Sequence, residues 1–363
     1  MPKKKQISLN RPTIGLRERW AVQRVLKSGN LAQGKYVYDF EQSFSALHSN
    51  VPCVALNSGT SALHLGLLAL GIGPGDEVIV PAFTFAATAN AAAITGATPV
   101  FVDIESDYFS IDTSRVEEAI TPRTKAVIAV HLYGHPAELD KLQQICNRNG
   151  IFLVEDSAQA HLAEFDGKKV GSVGDLGAFS FYPTKNMTTG EGGMATTTNP
   201  DVERRLRLLR NQGMEKRYQN EIPGFNNRMT EVAAAIGLVQ LKRIERWTIK
   251  RQANANFLDS HLKGVQIPRV SPKAQHVYHQ YTIQLIDHDR DKFSAELRKL
   301  GVDSDVYYPA PVHTLPAYRL SLDTPIALSV SQSCLSIPVH QRLSESELHK
   351  IVESVNLLSR AGG

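Results

Sequence analysis

Lys185 lies in the run Phe179-Ser180-Phe181-Tyr182-Pro183-Thr184-Lys185-Asn186-Met187-Thr188-Thr189-Gly190-Glu191-Gly192-Gly193. The apolar, aromatic stretch from Leu176 to Tyr182 predicts a buried strand. The small residues after the lysine predict a tight turn in which glycine permits unusual dihedrals and close backbone approach. A lysine at the end of a core strand has limited hydration, which suits a neutral, nucleophilic amine. A lysine in a glycine-rich loop is ordinarily a solvated surface group, so its company decides the reading.

Three further segments supply that company. Ile151-Phe152-Leu153-Val154-Glu155-Asp156 is a short continuous apolar run ending in acid, as expected of a parallel strand covered on both faces. Asp156 falls at the carboxyl edge, where open α/β sheets bind ligands. A carboxylate there can hold a pyridinium nitrogen protonated, although a helix N-cap would give the same local pattern. Asn57-Ser58-Gly59-Thr60-Ser61 opens a stretch of helical spacing, where free backbone N–H groups and the hydroxyls of Ser58 and Thr60 could converge on a phosphate. An ordinary capping turn reads alike. Phe85, in Pro81-Ala82-Phe83-Thr84-Phe85, falls just beyond a strand end and could stack on a planar ligand.

Together these segments resemble the sugar aminotransferases of the DegT/DnrJ/EryC1/StrS family, which belong to the type I fold of pyridoxal-phosphate enzymes. The resemblance runs from about Gly29 to Tyr318. It implies that Lys185 forms a Schiff base with the cofactor and later moves protons, and that Asp156 pairs with the pyridinium nitrogen. It places Gln159 near the phenolic oxygen, Phe85 on the ring, and Gly59, Thr60 and Ser180 at the phosphate. Gly224-Phe225-Asn226-Asn227-Arg228 resembles a segment that reaches into the neighbouring subunit's site, with Asn226 at the phosphate and Asn227 one register away. That would make the active unit a homodimer with a shared site. His161 matches a common family histidine, but Leu162 replaces the glycine that follows it there, which bears on the local backbone shape. Tyr307-Tyr308-Pro309-Ala310-Pro311-Val312-His313 with Pro316-Ala317-Tyr318 resembles the segment bordering the substrate, which assigns Tyr308 and His313 to the pocket wall.

Positioning such residues takes a particular architecture. Strand candidates at Val78 to Pro81, Pro99 to Asp103, Ala126 to His131 and Ile151 to Asp156 alternate with helical stretches, so crossovers and a mostly parallel sheet are expected. The fold class is therefore α/β: the resemblance implies the type I pyridoxal-phosphate aminotransferase fold, with helices on both faces and a smaller C-terminal α+β domain. A long helix, Thr230 to Lys250, precedes a change of texture: a strand at His276 to Ile286, a helix at Asp289 to Leu300 and a strand at Val306. The expected division is a large cofactor-binding domain, 1–250, and a small C-terminal domain, 251–363, since 363 residues exceed one compact core.

Bulk properties exclude several classes. Forty basic and 36 acidic side chains leave a formal charge of +4, too balanced to argue for nucleic acid. Lys3-Lys4-Lys5 is a short terminal patch, and Arg204 to Arg210 reads as a helix with arginines on a solvated face. Cys53, Cys146 and Cys334 are widely separated, so neither a disulfide framework nor a zinc or iron-sulfur site is expected. The 12 histidines show no His-Glu-x-x-His spacing, so no metal is expected. No charged stretch followed by an apolar core and a small-residue cleavage site is read at the start, and a cytoplasmic location is expected. The uncharged stretch Val78 to Val102 is long enough for a bilayer, but Pro81, Asn90, Gly96 and Pro99 divide it into strand, helix and strand. Gly71-Ile72-Gly73-Pro74-Gly75 does not open a helix, which argues against a dinucleotide fingerprint.

The resulting expectation is a pyridoxal-phosphate aminotransferase that converts a nucleotide-linked keto sugar to an amino sugar, with an amino acid such as glutamate as donor. A keto-cyclitol or other non-nucleotide ketone is the alternative substrate. A family member with a regulatory or binding role is the alternative from a different class. The family's dehydratases lack the lysine that Lys185 supplies.

Overall fold

The computed structural model describes residues 6–361, so Lys3-Lys4-Lys5 lies outside the described residues. Helices α1 (Leu16–Ser28) and α2 (Lys35–Leu47) precede strand β1 (Cys53–Leu56). Alternation follows: α3 (Gly59–Ala69), β2 (Glu77–Pro81), α4 (Ala86–Ala93), β3 (Thr98–Val102), α5 (Thr113–Ala119), β4 (Thr124–Val130), α6 (Leu139–Asn149) and β5 (Phe152–Asp156). The short ribbon β6 (Glu164–Phe165) and β7 (Lys168–Lys169) leads to β8 (Leu176–Ser180), β9 (Gly193–Thr196) and α7 (Pro200–Arg210). A small hairpin, β10 (Met214–Lys216) with β11 (Gln219–Asn220), comes before α8 (Glu231–His261). The chain closes with β12 (Ala274–Gln275), β13 (Tyr281–Gln284), α9 (Arg290–Lys299), α10 (Pro325–Ser333), β14 (Cys334–Ile337) and α11 (Glu345–Ala361).

Seven strands form the main sheet in the order β1-β9-β8-β5-β4-β2-β3. The run from β8 to β3 is parallel, and β9 is antiparallel to both β1 and β8. The apolar runs hide a period of two, because successive side chains of a strand face opposite sides. Val78, Val80, Ile128 and Val154 join the core cluster under α3, α4 and α7. Ile79, Val127, Ala129 and Leu153 join the one under α6. Each such side chain contributes on the order of 1.5–3 kcal/mol by leaving water. Burial on both faces is what makes these strands read as continuous hydrophobic stretches.

The stretch from Val78 to Val102 forms β2, α4 and β3, and among the described residues no helix is long and apolar enough to cross a membrane. The three cysteines are free and buried. Thr230 caps α8 by accepting the Ala233 N–H, but the helix continues well past the expected end at Lys250. Its last turns carry Ala255 and Leu258 into a C-terminal core with Tyr281, Ile283, Leu335, Ile337 and Ile351.

The expected strand from His276 to Ile286 shrinks to Tyr281–Gln284. Upstream, Val277 and Gln280 donate their N–H groups to the carbonyls of Gly134 and Tyr133. Those amides hold the turn after β4, so they cannot serve a ladder. The strand expected at Val306 is also absent, since Asp305 makes only an isolated bridge to Ser336.

Arg204 and Arg205 of α7 are exposed, as expected of a solvated face, but Arg207 and Arg210 are not. Arg210 is 4% exposed, and its Nη1 donates to Glu41 Oε1 at 2.6 Å and to the Ala55 carbonyl at 2.7 Å. Arg207 Nη1 donates to Glu41 Oε2, and its Nη2 to the Cys53 carbonyl. Glu41 Oε1 in turn accepts the Ala55 N–H. Together the three side chains satisfy the outer edge of β1, the last strand of the sheet, and so prevent it from templating another chain. Arg210→Met leaves the buried Glu41 with only Arg207 and the Ala55 N–H as partners, so urea unfolding should show a loss of about 3 kcal/mol. The double variant Glu41→Leu/Arg210→Met should recover part of that loss.

Candidate active site

β5 ends in two acids that point to opposite faces of the sheet and meet opposite fates. Glu155 is fully buried and accepts N–H groups from Gly171 at 2.7 Å, Val173 at 2.8 Å and Gly174 at 2.7 Å. His131 Nδ1 accepts the Ala137 N–H, so its proton lies on Nε2 and is donated to Glu155 Oε2 at 3.0 Å. Burial raises the Glu155 pKa, but the His131 bond and the backbone donors outweigh it, and the carboxyl stays below the usual carboxylate range. This acid anchors the loop that delivers β8.

Asp156 is provided for less fully. Thr88 Oγ1 donates to its Oδ2 at 2.8 Å, the Ala158 N–H reaches its Oδ1 at 3.2 Å, and Thr84 bonds Thr88 at 3.0 Å. Burial pushes its pKa up against the opposing effects of Thr88, Ala158 and the nearby Lys185 charge. Lys185 shows the complementary shift. Desolvation lowers its pKa to about 8, and Asp156 opposes that fall. β5 and β8 are neighbours in parallel register, so the acid ending one strand faces the amine that follows the other.

The start of α3 is pressed against the same sheet edge. Ser58 caps the helix by accepting the Ser61 N–H. The first turn of an α-helix has N–H groups without intrahelical acceptors, which leaves those of Gly59 and Thr60 available to an anion. A Cβ on Gly59 would lie 2.7 Å from Ser180 Cβ, and one on Gly193 would lie 2.1 Å from the Ser58 carbonyl oxygen. Only glycine lets this turn sit against the ends of β8 and β9, so Ser58, Gly59, Thr60 and Ser180 form one cradle.

Asn227 closes this cradle within the same chain, accepting the Asn57 N–H at 3.0 Å and donating Nδ2 to Ser61 Oγ at 3.3 Å. Asn226 is exposed, and its Oδ1 accepts from Arg228 Nε and Nη2. The two neighbouring asparagines therefore have different surroundings, one inward and one outward.

A row of aromatic groups lines the other side. Phe85 precedes α4 and is 59% exposed, free of the core. Its ring centroid lies 6.3 Å from that of Tyr308, tilted by 44°. Gln159 Oε1 accepts the Tyr133 N–H at 2.7 Å, and its Nε2 donates to Tyr308 Oη at 2.5 Å. Burial raises the Tyr308 phenol pKa, and the Gln159 bond opposes this. Tyr133 and Tyr308 both hold positive φ, 56° and 61°, an uncommon state for bulky residues that the surrounding packing must maintain.

Two expected pocket residues are placed otherwise. His161 is fully buried with its ring between Phe179 and Phe181, and neither ring nitrogen has a hydrogen-bond partner. Desolvation, aided by the His48 and Lys185 charges, drives its pKa to about 3, so it is a neutral ring beneath the site and not part of an open wall. His313 is also buried; its Nδ1 pairs with the Leu320 carbonyl and its Nε2 with Thr324 Oγ1. Both nitrogens of His313 are used to fold the segment after Val312. Leu162, where a glycine was the expectation, has φ 66° and is buried in the cluster of Phe40, Phe44, Phe179 and Phe181.

Thr88, Tyr133, His131 and Glu155 escaped the sequence reading. An acid inside the apolar run Phe152-Leu153-Val154-Glu155 was a usable signal, because an interior strand charge requires partners. The whole arrangement can hold an anion at α3, a cationic ring nitrogen at Asp156 and a reactive amine at Lys185.

The sequence model of the DegT/DnrJ/EryC1/StrS aminotransferase family matches residues 12–356. Among similar proteins, the dTDP-3-amino-3,4,6-trideoxy-alpha-D-glucose transaminase of Streptomyces venezuelae is 40% identical over 92% of this chain and 90% of its own length. The GDP-perosamine synthase of Caulobacter vibrioides is 39% identical over 89% of this chain and 90% of its own. Among solved structures, the PLP form of Spr1654 from Streptococcus pneumoniae superposes with a TM-score of 0.94 at 31% identity, covering 99% of this chain and 100% of that one.

A lysine pKa lowered to about 8 predicts that acetylation of Lys185 by acetic anhydride, followed by mass spectrometry in cofactor-free protein, has its pH midpoint near that value. Exposed lysines should react with a midpoint at about 10.4. Asp156→Asn removes the charge that supports the ammonium form, so the midpoint should move further down. A midpoint shared with surface lysines would refute the desolvated amine.

Proposed function

The chain belongs to the DegT/DnrJ/EryC1/StrS aminotransferase family, and on that premise we propose that it is a pyridoxal-phosphate-dependent aminotransferase converting a nucleotide-linked keto sugar to an amino sugar. Glutamate is the proposed donor, and the active unit a cytoplasmic homodimer with a shared site. The observation that carries this reading is the facing of a desolvated amine, Lys185, and a desolvated acid, Asp156, across adjacent strand ends. The glycine turn at the start of α3 adds free N–H groups suited to an anion, and the exposed Phe85 adds an aromatic face. Those three features match the three parts of pyridoxal phosphate: an aldehyde-bearing ring, its ring nitrogen and its phosphate.

When bound, the cofactor supplies a carbonyl carbon for covalent attachment of amines and a ring that accepts electrons. The protein contributes position and proton control. Ser58, Gly59, Thr60 and Ser180 hold the phosphate end, and Asn226 of a second copy is assigned to the same group. Asp156, oriented by Thr88 and Ala158, would keep a proton on the ring nitrogen by ion pairing. Gln159, held between Tyr133 and Tyr308, would meet the phenolic oxygen, and Phe85 would cover the ring face.

Lys185, with a pKa close to neutrality, can take a proton from a substrate carbon and return it to another position. Tyr308 is the substrate-wall residue that the geometry favours. His161 and His313 act from behind it, one by supporting β8 and the other by folding the 312–324 segment. The division into a large part, 1–250, and a smaller one, 251–363, belongs to the same proposal, with α8 running through both.

Nucleotide sugars are the favoured substrates because the similar transaminase is named for a dTDP sugar and the similar synthase for a GDP sugar. The test is to load the protein with pyridoxamine phosphate and record which member of a keto-sugar panel returns the aldehyde spectrum. Nucleotide-linked ketones should do so and keto-cyclitols should not. Lys185→Ala should lower turnover by at least about 10³-fold, since it removes both the nucleophile and the proton carrier. Undiminished turnover in that variant would overturn the assignment.

A further inference from the structure

Asp156 is reached by a chain of two buried hydroxyls. Thr88 Oγ1 lies 2.8 Å from Asp156 Oδ2, and Thr84 Oγ1 lies 3.0 Å from Thr88 Oγ1. Thr88 is fully buried and Thr84 is 2% exposed, so bulk water does not compete for these bonds. A hydroxyl carries a single proton, and an ionised carboxylate can only accept. Thr88 therefore spends its proton on Asp156, and Thr84 must donate the bond between the two threonines. The chain has one direction, from Thr84 through Thr88 to the acid. A proton on Oδ2 would oppose the Thr88 proton and break that order.

α4 is written in alanine, the best helix former, except at Thr88 and Asn90. Asn90 accepts the Tyr318 hydroxyl, and Thr88 serves the acid. The Thr88 N–H donates to the Phe85 carbonyl at 3.1 Å, so the exposed aromatic ring and the buried hydroxyl come from one helical turn. On the other carboxylate oxygen, Oδ1, the Ala158 N–H is the donor. A carboxylate has about four lone-pair sites, so one donor on each oxygen leaves room for another.

The geometry points to Thr84 and Thr88 as positioning residues that keep Asp156 ionised, so that the proton shared with bound pyridoxal phosphate rests on the ring nitrogen and not on the carboxyl. This inference rests on the pyridoxal-phosphate reading of the site and deepens it. Both threonines act through Asp156. Burial by itself favours the neutral acid, and the Thr88 bond is the largest of the effects that oppose it. A hydrogen bond to the ionised form weakens the carboxylate's hold on a proton. One such bond changes the partition roughly tenfold. A protonated ring nitrogen is in turn what lets the ring accept electrons.

Nitrogen-15 NMR of the holoenzyme, reconstituted with pyridoxal phosphate labelled at the ring nitrogen, reads the proton directly. Wild-type protein should show the protonated resonance and Asp156→Asn the unprotonated one. Thr88→Val keeps the shape and deletes the hydroxyl. It should displace the resonance toward the unprotonated position, with a roughly tenfold lower ratio of nitrogen-bound to carboxyl-bound proton. Thr88→Ser, which restores a hydroxyl, should return it. Thr84→Val removes no bond to the acid and should act in the same direction by a smaller amount, because it only weakens the polarisation of the Thr88 bond. A resonance unmoved in either valine variant, or moved as far in Thr88→Ser as in Thr88→Val, would overturn the chain. If Thr88→Val fails to fold, the Thr84→Val result alone decides. Wild-type protein that binds no pyridoxal phosphate, or whose ring nitrogen ignores Asp156→Asn, would sink the functional reading itself. A nitrogen that responds to Asp156→Asn but to neither threonine variant would sink only this inference.

Discussion

A carboxyl at the end of β5 and an amine on the loop that follows β8, both partly withdrawn from water, are the constraint around which this molecule is organised. Burial raises the Asp156 pKa and lowers that of Lys185, so each group on its own tends toward its neutral form. Their mutual attraction works against that tendency. Such a pair would suit a ligand that brings a cationic nitrogen to the acid and a carbonyl carbon to the amine, as the proposed cofactor does. Binding then settles both charges at once, which is a source of affinity that a solvated pair would lack.

The contrast with the other buried charges shows that the under-satisfaction is local. Glu155, next in sequence to Asp156, has four donors, and Glu41 has two arginines and a backbone N–H. Those acids fix structure: one holds the loop before β8, the other seals the outer edge of β1. Rigidity delivered by fully paired charges lets the sheet carry an incompletely paired one a residue away. Removing the Glu155 network would therefore move β8, and Ser180 with it, before it touched any ligand.

Much of this was legible in the residues. Continuous apolar runs announced the parallel strands, and Lys185, Asp156, Gly59 and Phe85 could each be placed at a strand or helix end by local pattern. Partners distant in sequence were not legible: Thr88 on Asp156, Tyr133 on Gln159 and Arg210 on Glu41 are set by packing, 68, 26 and 169 residues apart. The same cause misplaced the strand at His276 to Ile286. Its amides are spent on the turn after β4, and hydrophobic alternation alone gives no sign of that competition. His161 was assigned to the pocket by motif, yet a histidine between Phe179 and Phe181 is a core ring whose motif position says nothing about which face it shows.

Leu162 shows how a departure from an expected glycine can be tolerated. A left-handed backbone costs a β-carbon-bearing residue about 1–2 kcal/mol, while burying a leucine contributes on the order of 1.5–3 kcal/mol. At 5% exposure among Phe40, Phe44, Phe179 and Phe181, the burial term matches or exceeds the strain. The chain thus keeps the turn that glycine would allow and fills the space beneath β8 as well. The two terms act on the same strand that presents Ser180 and leads to Lys185, so the site rests on a packed floor in place of a permissive hinge. That floor also encloses His161 between Phe179 and Phe181, and burial keeps its imidazole uncharged beneath a lysine whose own pKa is lowered.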